Sequence, residues 1–208
     1  ALAAARLGIK THIYTPEENS PASQVADKTI VAPYEDKKAL KTFAAGVDVV
    51  SYEFENIPLE TVSYLQKHTD VFPDENLLEI AQDRIKEKSF LNDIGIETAR
   101  WAPVKKADDI HAVLQNWKSS ACILKTTRFG YDGKGQLKFT LGDDIYEAWA
   151  KLNTEEAIAE EIIDFECELS VIIARDKLGQ TATYEPAMNE HKNHILFRSV
   201  VPAPVPNN

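Results

Sequence analysis

Between Cys122 and Phe139 the chain reads CILK, TTRFGYDGKG, QLKF, two short apolar runs around a ten-residue connection. Gly130, Gly133 and Gly135 allow positive φ and let main-chain N–H groups approach an anion with no Cβ in the way. Lys125, Arg128 and Lys134 place positive charge beside those donors, a combination suited to a polyphosphate. Chain reversal alone would need only Asp132-Gly133 as a type I′ turn, so the loop is far longer than reversal needs; a solvated hairpin loop is the alternative reading. No G-x-x-x-x-G-K-[ST] string is present, and a strand rather than a helix follows, so the loop is not a P-loop.

Two further constellations carry chemistry. Glu53 and Glu55 in EFEN sit just past an apolar run, where carboxylates at i and i+2 can face a ligand's amine or hydroxyl groups; a solvated loop with Asn56 opening a helix is the alternative. His191 and His194 have a metal pair's spacing, but no Cys or third His lies at ligand spacing, so no metal site is read there. Arg84, close to Glu87 and Lys88, reads from spacing alone as a surface charge.

The elements that must position these groups alternate. A helix over 1–8 ends at Gly8, strands follow at 9–14 and 29–31, and a helix runs from Asp36 to Ala45. The run 47–52 is apolar enough for a buried parallel strand. A helix from Pro58 to His68 follows, carrying Val62 and Leu65 at helical spacing, and then a strand end at 71–73. Such alternation predicts a parallel sheet with helices on its faces, with ligands beyond the strands' carboxyl ends. Residues 74–95 read as a helix broken near 82–84, with stripes of Leu77, Leu78 and Ile80, then Phe90, Leu91 and Ile94. Residues 98–103 read as a crossing into a second unit. That unit has a helix at 107–117, strands at 122–125 and 136–139, a helix at 143–152 and a strand at 157–163. Trp117 and Trp149 are expected to pack on its sheet. Residues 166–175 alternate as one strand, with Cys167, Leu169, Val171 and Ile173 on the apolar face and Glu166, Glu168 and Ser170 on the other. A turn at 176–179 leads into 180–184, and a last strand spans 195–200.

With 208 residues, the chain has material for one or two domains. Its 33 acidic against 23 basic side chains give a net charge of −10, unfavourable for sequence-independent nucleic-acid binding. Cys122 and Cys167 lie in apolar runs and read as buried free thiols of a reducing compartment. No apolar run approaches membrane-spanning length, and the expected location is the cytoplasm, with no membrane partner. Both ends read as cut.

The strings VDVVSYEFENIP, QDRIKEKSFLNDIGIETA, ILKTTRFGYDGKGQ and EEIIDFECELSVIIAR together resemble the N5-carboxyaminoimidazole ribonucleotide synthetases, ATP-grasp enzymes of purine biosynthesis, over nearly the whole chain. The resemblance implies an incomplete Rossmann-like parallel-sheet domain over 1–98, a small α+β ATP-grasp lid subdomain over 99–159, and the start of the antiparallel ATP-grasp C-terminal subdomain over 160–208. It implies ATP-dependent carboxylation of 5-aminoimidazole ribonucleotide by bicarbonate through carboxyphosphate. It assigns ATP contacts to Arg84, Lys125, Gly130, Tyr131, Asp132, Gly133, Lys134, Gly135 and Gln136, the 130–136 stretch folding over the triphosphate as a lid. It further assigns Glu160, Glu161, Ile162 and Ile163 to reading adenine through their backbone, Glu168 to the ribose hydroxyls, and His191 to the nucleotide site. Glu53, Tyr131 and Asp132 are expected on the ribonucleotide side. Mg²⁺ with ligands beyond Asn208 and a homodimer are also implied. Where the family usually reads Y-P-x-x-E-N-x-H, this chain has YEPAMNEH at 184–191. Other ATP-grasp formyl- or carboxyl-transferring ligases, and a non-catalytic nucleotide-binding or oligomerisation module, are the alternatives.

Overall fold

Four aspartates start helices in the way short acceptor side chains favour. Asp36 accepts from the amides of Lys38 and Ala39, Asp74 from Leu77, Asp83 from Ile85 and Lys86, and Asp144 from Tyr146 and Glu147. A computed structural model describes residues 1–130, 134–192 and 195–205. The chain divides into two compact units, Ala1–Ile96 and Glu97–Asn208.

The first unit runs α1 (Leu2–Arg6), β1 (His12–Thr15), a single 3-10 turn (Ser23–Val25), β2 (Lys28–Val31), α2 (Lys37–Ala44), β3 (Val49–Val50), α3 (Leu59–Gln66), β4 (Asp70–Val71), α4 (Glu75–Ala81) and α5 (Arg84–Asp93). β1 pairs with β2, and β3 with β4, both in parallel. Among the described residues these remain two separate two-stranded sheets, where the sequence predicts one parallel sheet. The strand expected over 47–52 shrinks to β3. Its partner β4 offers two residues before Pro73, which has no N–H to extend a ladder. The core joins Leu40 and Phe43 of α2, Val50, Val62 and Leu65 of α3, Val71 and Leu78 of α4. Each such side chain contributes about 1.5–3 kcal/mol on burial. The helix break at 82–84 is as expected, and Asp83 caps α5. The stripe expected on α5 is not buried, since Phe90 and Ile94 are exposed.

The second unit opens with β5 (Trp101–Val104), placed where the sequence suggests a mere crossing. Pro103 discourages a strand reading, yet β5 is an edge strand, where a missing N–H is tolerated. There follow α6 (Ala107–Trp117), β6 (Ala121–Thr126), β7 (Gln136–Thr140), α7 (Ile145–Leu152) and β8 (Ala157–Glu160). The four strands form one antiparallel sheet in the order β5-β8-β6-β7. Cys122, Leu124, Phe139, Ala157 and Ala159 line one face. They pack with Ile110, Leu114 and Trp117 of α6 and Ile145, Ala148 and Leu152 of α7, with Trp149 partly buried beside them. The strand expected to reach residue 163 ends at Glu160.

Burial pushes the Cys122 thiol up from its ordinary 9.0 to about 11. The folded thiol therefore keeps its proton where the unfolded one has lost it, so this contribution is complete below about pH 9 and is lost as pH rises toward about 11. The expected loss across that window is about 2–3 kcal/mol. Denaturant melts across the window check it, because Cys122→Ala should remove that part of the alkaline slope.

The remaining strands are β9 (Glu168–Ser170), β10 (Ile173–Arg175), β11 (Thr181–Thr183), β12 (Ala187–Lys192) and β13 (Ile195–Val200). The single strand predicted over 166–175 divides. β9 joins the β13-β12-β9 sheet, while β10 pairs with β11 around a turn in which Asp176 accepts from the amides of Leu178 and Gln180. Period-two alternation specifies a face, not a partner, so it cannot reveal where a strand changes sheets. The predicted apolar face is exposed at Leu169, Val171 and Ile173, and Cys167 is only partly buried.

Candidate functional site

β6 and β7 pair in register from Ala121↔Thr140 to Lys125↔Gln136, so the glycine connection leaves the sheet between directly opposed Lys125 and Gln136. Residues directly opposite in an antiparallel pair share a face, and alternation sends Lys125 away from the buried Cys122 and Leu124. Ile123 lies opposite Glu160, one diagonal step from Lys125. The face turned away from α6 and α7 thus carries Lys125, Gln136, Lys138, Ile158 and Glu160. Across it Lys125 Nζ donates to Glu160 Oε2 at 2.7 Å, the side chains 25% and 10% exposed.

The base of the connection is clasped by Thr126. Its N–H donates to the Gly135 carbonyl at 2.8 Å, and its Oγ1 donates to the Arg128 carbonyl at 2.8 Å. Gly135 takes φ +68, and a Cβ there would stand 2.7 Å from Thr126 Oγ1 and 3.5 Å from the Gly130 Cα. Two independent constraints therefore require glycine. Phe129 takes φ 61 and is 68% exposed, with the Arg128 guanidinium 5.4 Å from its ring centre. Lys134 is exposed, and Gly130 and Gln136 are half-buried. The expected contacts from Tyr131, Asp132 and Gly133 lie outside the described residues, as does His194.

Past β8 the chain leaves the ladder. Glu161 donates its N–H to the Arg100 carbonyl at 2.8 Å. Its carboxylate accepts from Arg100 at 2.9 Å, and the Arg100 guanidinium sits 5.0 Å from the Trp117 ring centre. Glu160 and Glu161 thus do different work, the first meeting Lys125 and the second anchoring the segment's start. Ile162 and Ile163 follow, exposed and outside any helix or strand, with their peptide groups off the ladder.

On the β13-β12-β9 sheet, Glu168 faces Asn189. His191, two residues further along β12, brings Nδ1 to 2.9 Å from Glu168 Oε2. The sequence names both residues without pairing them; β12 itself, begun by the Pro186-Ala187 step, is not apparent there.

In the first unit, Glu53 and Glu55 are exposed on the connection after β3. Gln82, at the end of α4, is buried and donates Nε2 to the carbonyls of Glu55 and Ile57, which fixes that connection from below. Arg84 opens α5, half-buried, directly after the Asp83 cap. Gln82 and Thr126 are the positioning groups that residue types alone do not reveal.

Residues 1–82 match the ribonucleotide synthetase preATP-grasp domain, and residues 89–208 match the ATP-grasp domain. The chain is 45% identical over 207 residues to the N5-carboxyaminoimidazole ribonucleotide synthase of Brucella melitensis, covering 99% of this chain and 57% of that protein. It is similar to the solved ADP complex of an N5-carboxyaminoimidazole ribonucleotide synthetase, with TM-score 0.91, 38% identity, and coverage of 99% of this chain and 54% of that one. The Staphylococcus aureus N5-carboxyaminoimidazole synthetase complexed with ADP gives TM-score 0.91 at 32% identity, covering 98% of this chain and 54% of that one. The chain spans about half the length of these relatives.

Proposed function

We propose, for a chain that belongs to the ATP-grasp family, that it supplies the ATP-holding surface of a carbon–nitrogen ligase that carboxylates 5-aminoimidazole ribonucleotide with bicarbonate. The observation that carries this reading is Lys125 on the face of the β5-β8-β6-β7 sheet turned away from α6 and α7, at the root of a connection that needs glycine for both its φ and its close contact with Thr126. That arrangement supports phosphate binding over simple chain reversal.

Phosphoryl transfer to bicarbonate is mostly a matter of positioning and charge neutralisation. Lys125 and the amides around Gly130 and Gly135 suit the phosphates, with Arg84 assigned to the same nucleotide. The peptide groups of Ile162 and Ile163 suit the adenine edge, and Glu168 suits the ribose hydroxyls. Glu53 is assigned to the ribonucleotide. Carboxyphosphate reacts readily with water, so the stretch 130–136 covering the triphosphate would protect it. Residues 99–159 act as the lid subdomain in this reading, and the enzyme works as a cytoplasmic homodimer. The family implies Mg²⁺, with ligands beyond Asn208; within this chain Lys125 and the loop amides would add to the charge neutralisation.

ADP release by the protein that carries this chain tests the proposal. Release should require both bicarbonate and aminoimidazole ribonucleotide. Release that instead needs formate, or another amine acceptor, would contradict it.

A further inference from the structure

β5 begins at Trp101 and β8 ends at Glu160, so Arg100 and Glu161 are the residues just outside the four-stranded sheet on its two paired strands. They extend that pairing by one step, through the Glu161 N–H donated to the Arg100 carbonyl. The Arg100 side chain then reaches further. Its Nη2 donates to Glu161 Oε1 at 2.9 Å and to the Trp117 carbonyl at 3.3 Å. Trp117 is the last residue of α6 and is buried, and the guanidinium lies over its ring. A carbonyl of a last helical turn lacks an intrahelical partner and sits at the negative end of the helix dipole, so it suits a guanidinium. Arg100 thereby joins Glu161 to the end of a helix packed in the core. Residues 161–165 belong to no helix or strand, and the N–H groups of Ile162 and Ile163 have no hydrogen-bond partner among the described residues. The Arg100 and Glu161 side chains are 45% and 37% exposed, and so solvated a pair adds little to global stability.

We infer that Arg100 is a positioning residue that sets base selectivity, acting on the nucleotide through the backbone of 161–163 and not by touching it. This rests on the assignment of Ile162 and Ile163 to the adenine edge. Adenine presents an amino donor at C6 and an acceptor at N1, whereas guanine presents an acceptor at O6 and a donor at N1. Main-chain groups tell the two apart only while their peptide planes keep one orientation, since a peptide free to turn offers either its carbonyl or its N–H to the same place. Past Glu160 no ladder holds those planes. The backbone and side-chain bonds between Glu161 and Arg100 tie the first residue of the segment to the sheet and to α6 at once. A planar guanidinium can stack on the indole while donating in its own plane, which an ammonium cannot.

The test is affinity for ATP and for GTP by displacement calorimetry, in the protein that carries this chain, for Arg100→Ala, Arg100→Lys, Glu161→Ala and the Arg100→Ala, Glu161→Ala double variant, with the melting temperature of each. The unaltered protein should prefer ATP. Arg100→Ala should weaken ATP by roughly three- to tenfold and leave GTP unchanged, so that the preference falls by the same factor. Arg100→Lys, which keeps the ion pair without the stack, should recover part of the preference. Arg100→Ala should add little in the Glu161→Ala background, because the two side chains act as a unit. An equal loss for both nucleotides, or a lower melting temperature with the preference intact, would make Arg100 merely structural and overturn the inference while leaving the nucleotide site standing. Equal affinity of the unaltered protein for ATP and GTP would remove the adenine assignment, and the inference with it.

Discussion

Gly135→Ala should weaken ATP binding by roughly tenfold or more while leaving the rest of the second unit folded. An L-residue in the left-handed region costs about 1–2 kcal/mol, and Gly135 sits there at φ +68. The new Cβ would also stand 2.7 Å from Thr126 Oγ1, with Thr126 Cγ2 at 3.3 Å. Rotating Thr126 exchanges one of these atoms for the other and breaks its hydrogen bond to the Arg128 carbonyl. The cheapest relief is to open the clasp and displace the connection, which is why the loss falls on the ligand. Gly142→Ala is the control, since Gly142 has φ +109 but nothing within 4 Å of its Cβ position. It carries a backbone penalty without touching the clasp, so it should lower the melting temperature and leave ATP affinity unchanged. Similar effects of the two substitutions on affinity would show that the contact with Thr126 does not matter.

Lys125→Ala should produce two separable losses. One charge-assisted contact to a phosphate is worth about 1.5–3 kcal/mol, so KM for ATP should rise and kcat fall, by roughly 10- to 150-fold in kcat/KM. Removing the ammonium also takes from Glu160 its 2.7 Å partner at a side chain only 10% exposed. Breaking one side of such a pair should cost about 2–3 kcal/mol of stability, somewhat less than for a fully buried pair. Adding Glu160→Gln should recover most of the stability, because the amide needs no counter-charge, yet leave the kinetic loss in place. Kinetics unchanged in Lys125→Ala would take Lys125 out of the site, and stability unchanged would make the pair incidental.

What could be read in advance follows the range of the interactions involved. The Asp74 cap, the break between α4 and α5, the Asp176 turn and the β6–β7 hairpin are local, set by side chains within a few residues, and they appear as the residues suggest. The glycine loop was legible because residue type alone reveals both its charge and its tolerance of positive φ. The pairs that complete the site were not. Lys125 and Glu160 meet because β8 inserts between β5 and β6, a strand order that periodicity does not encode. Glu168 and His191 meet through β9 and β12, and the sequence suggests neither the division of 166–175 nor the strand over 187–192. Pro103 hid β5 for a related reason, since its cost in a strand depends on whether the strand is at an edge.

Amide hydrogen exchange at Gly130, Lys134 and Gly135, followed with ATP and with adenosine, tests the central claim most directly. If the connection between β6 and β7 holds the phosphates through its main chain, saturating ATP should slow exchange at these amides, and adenosine, which lacks phosphates, should not. Exchange unchanged by bound ATP, or slowed as much by adenosine, would mean that the loop only reverses the chain.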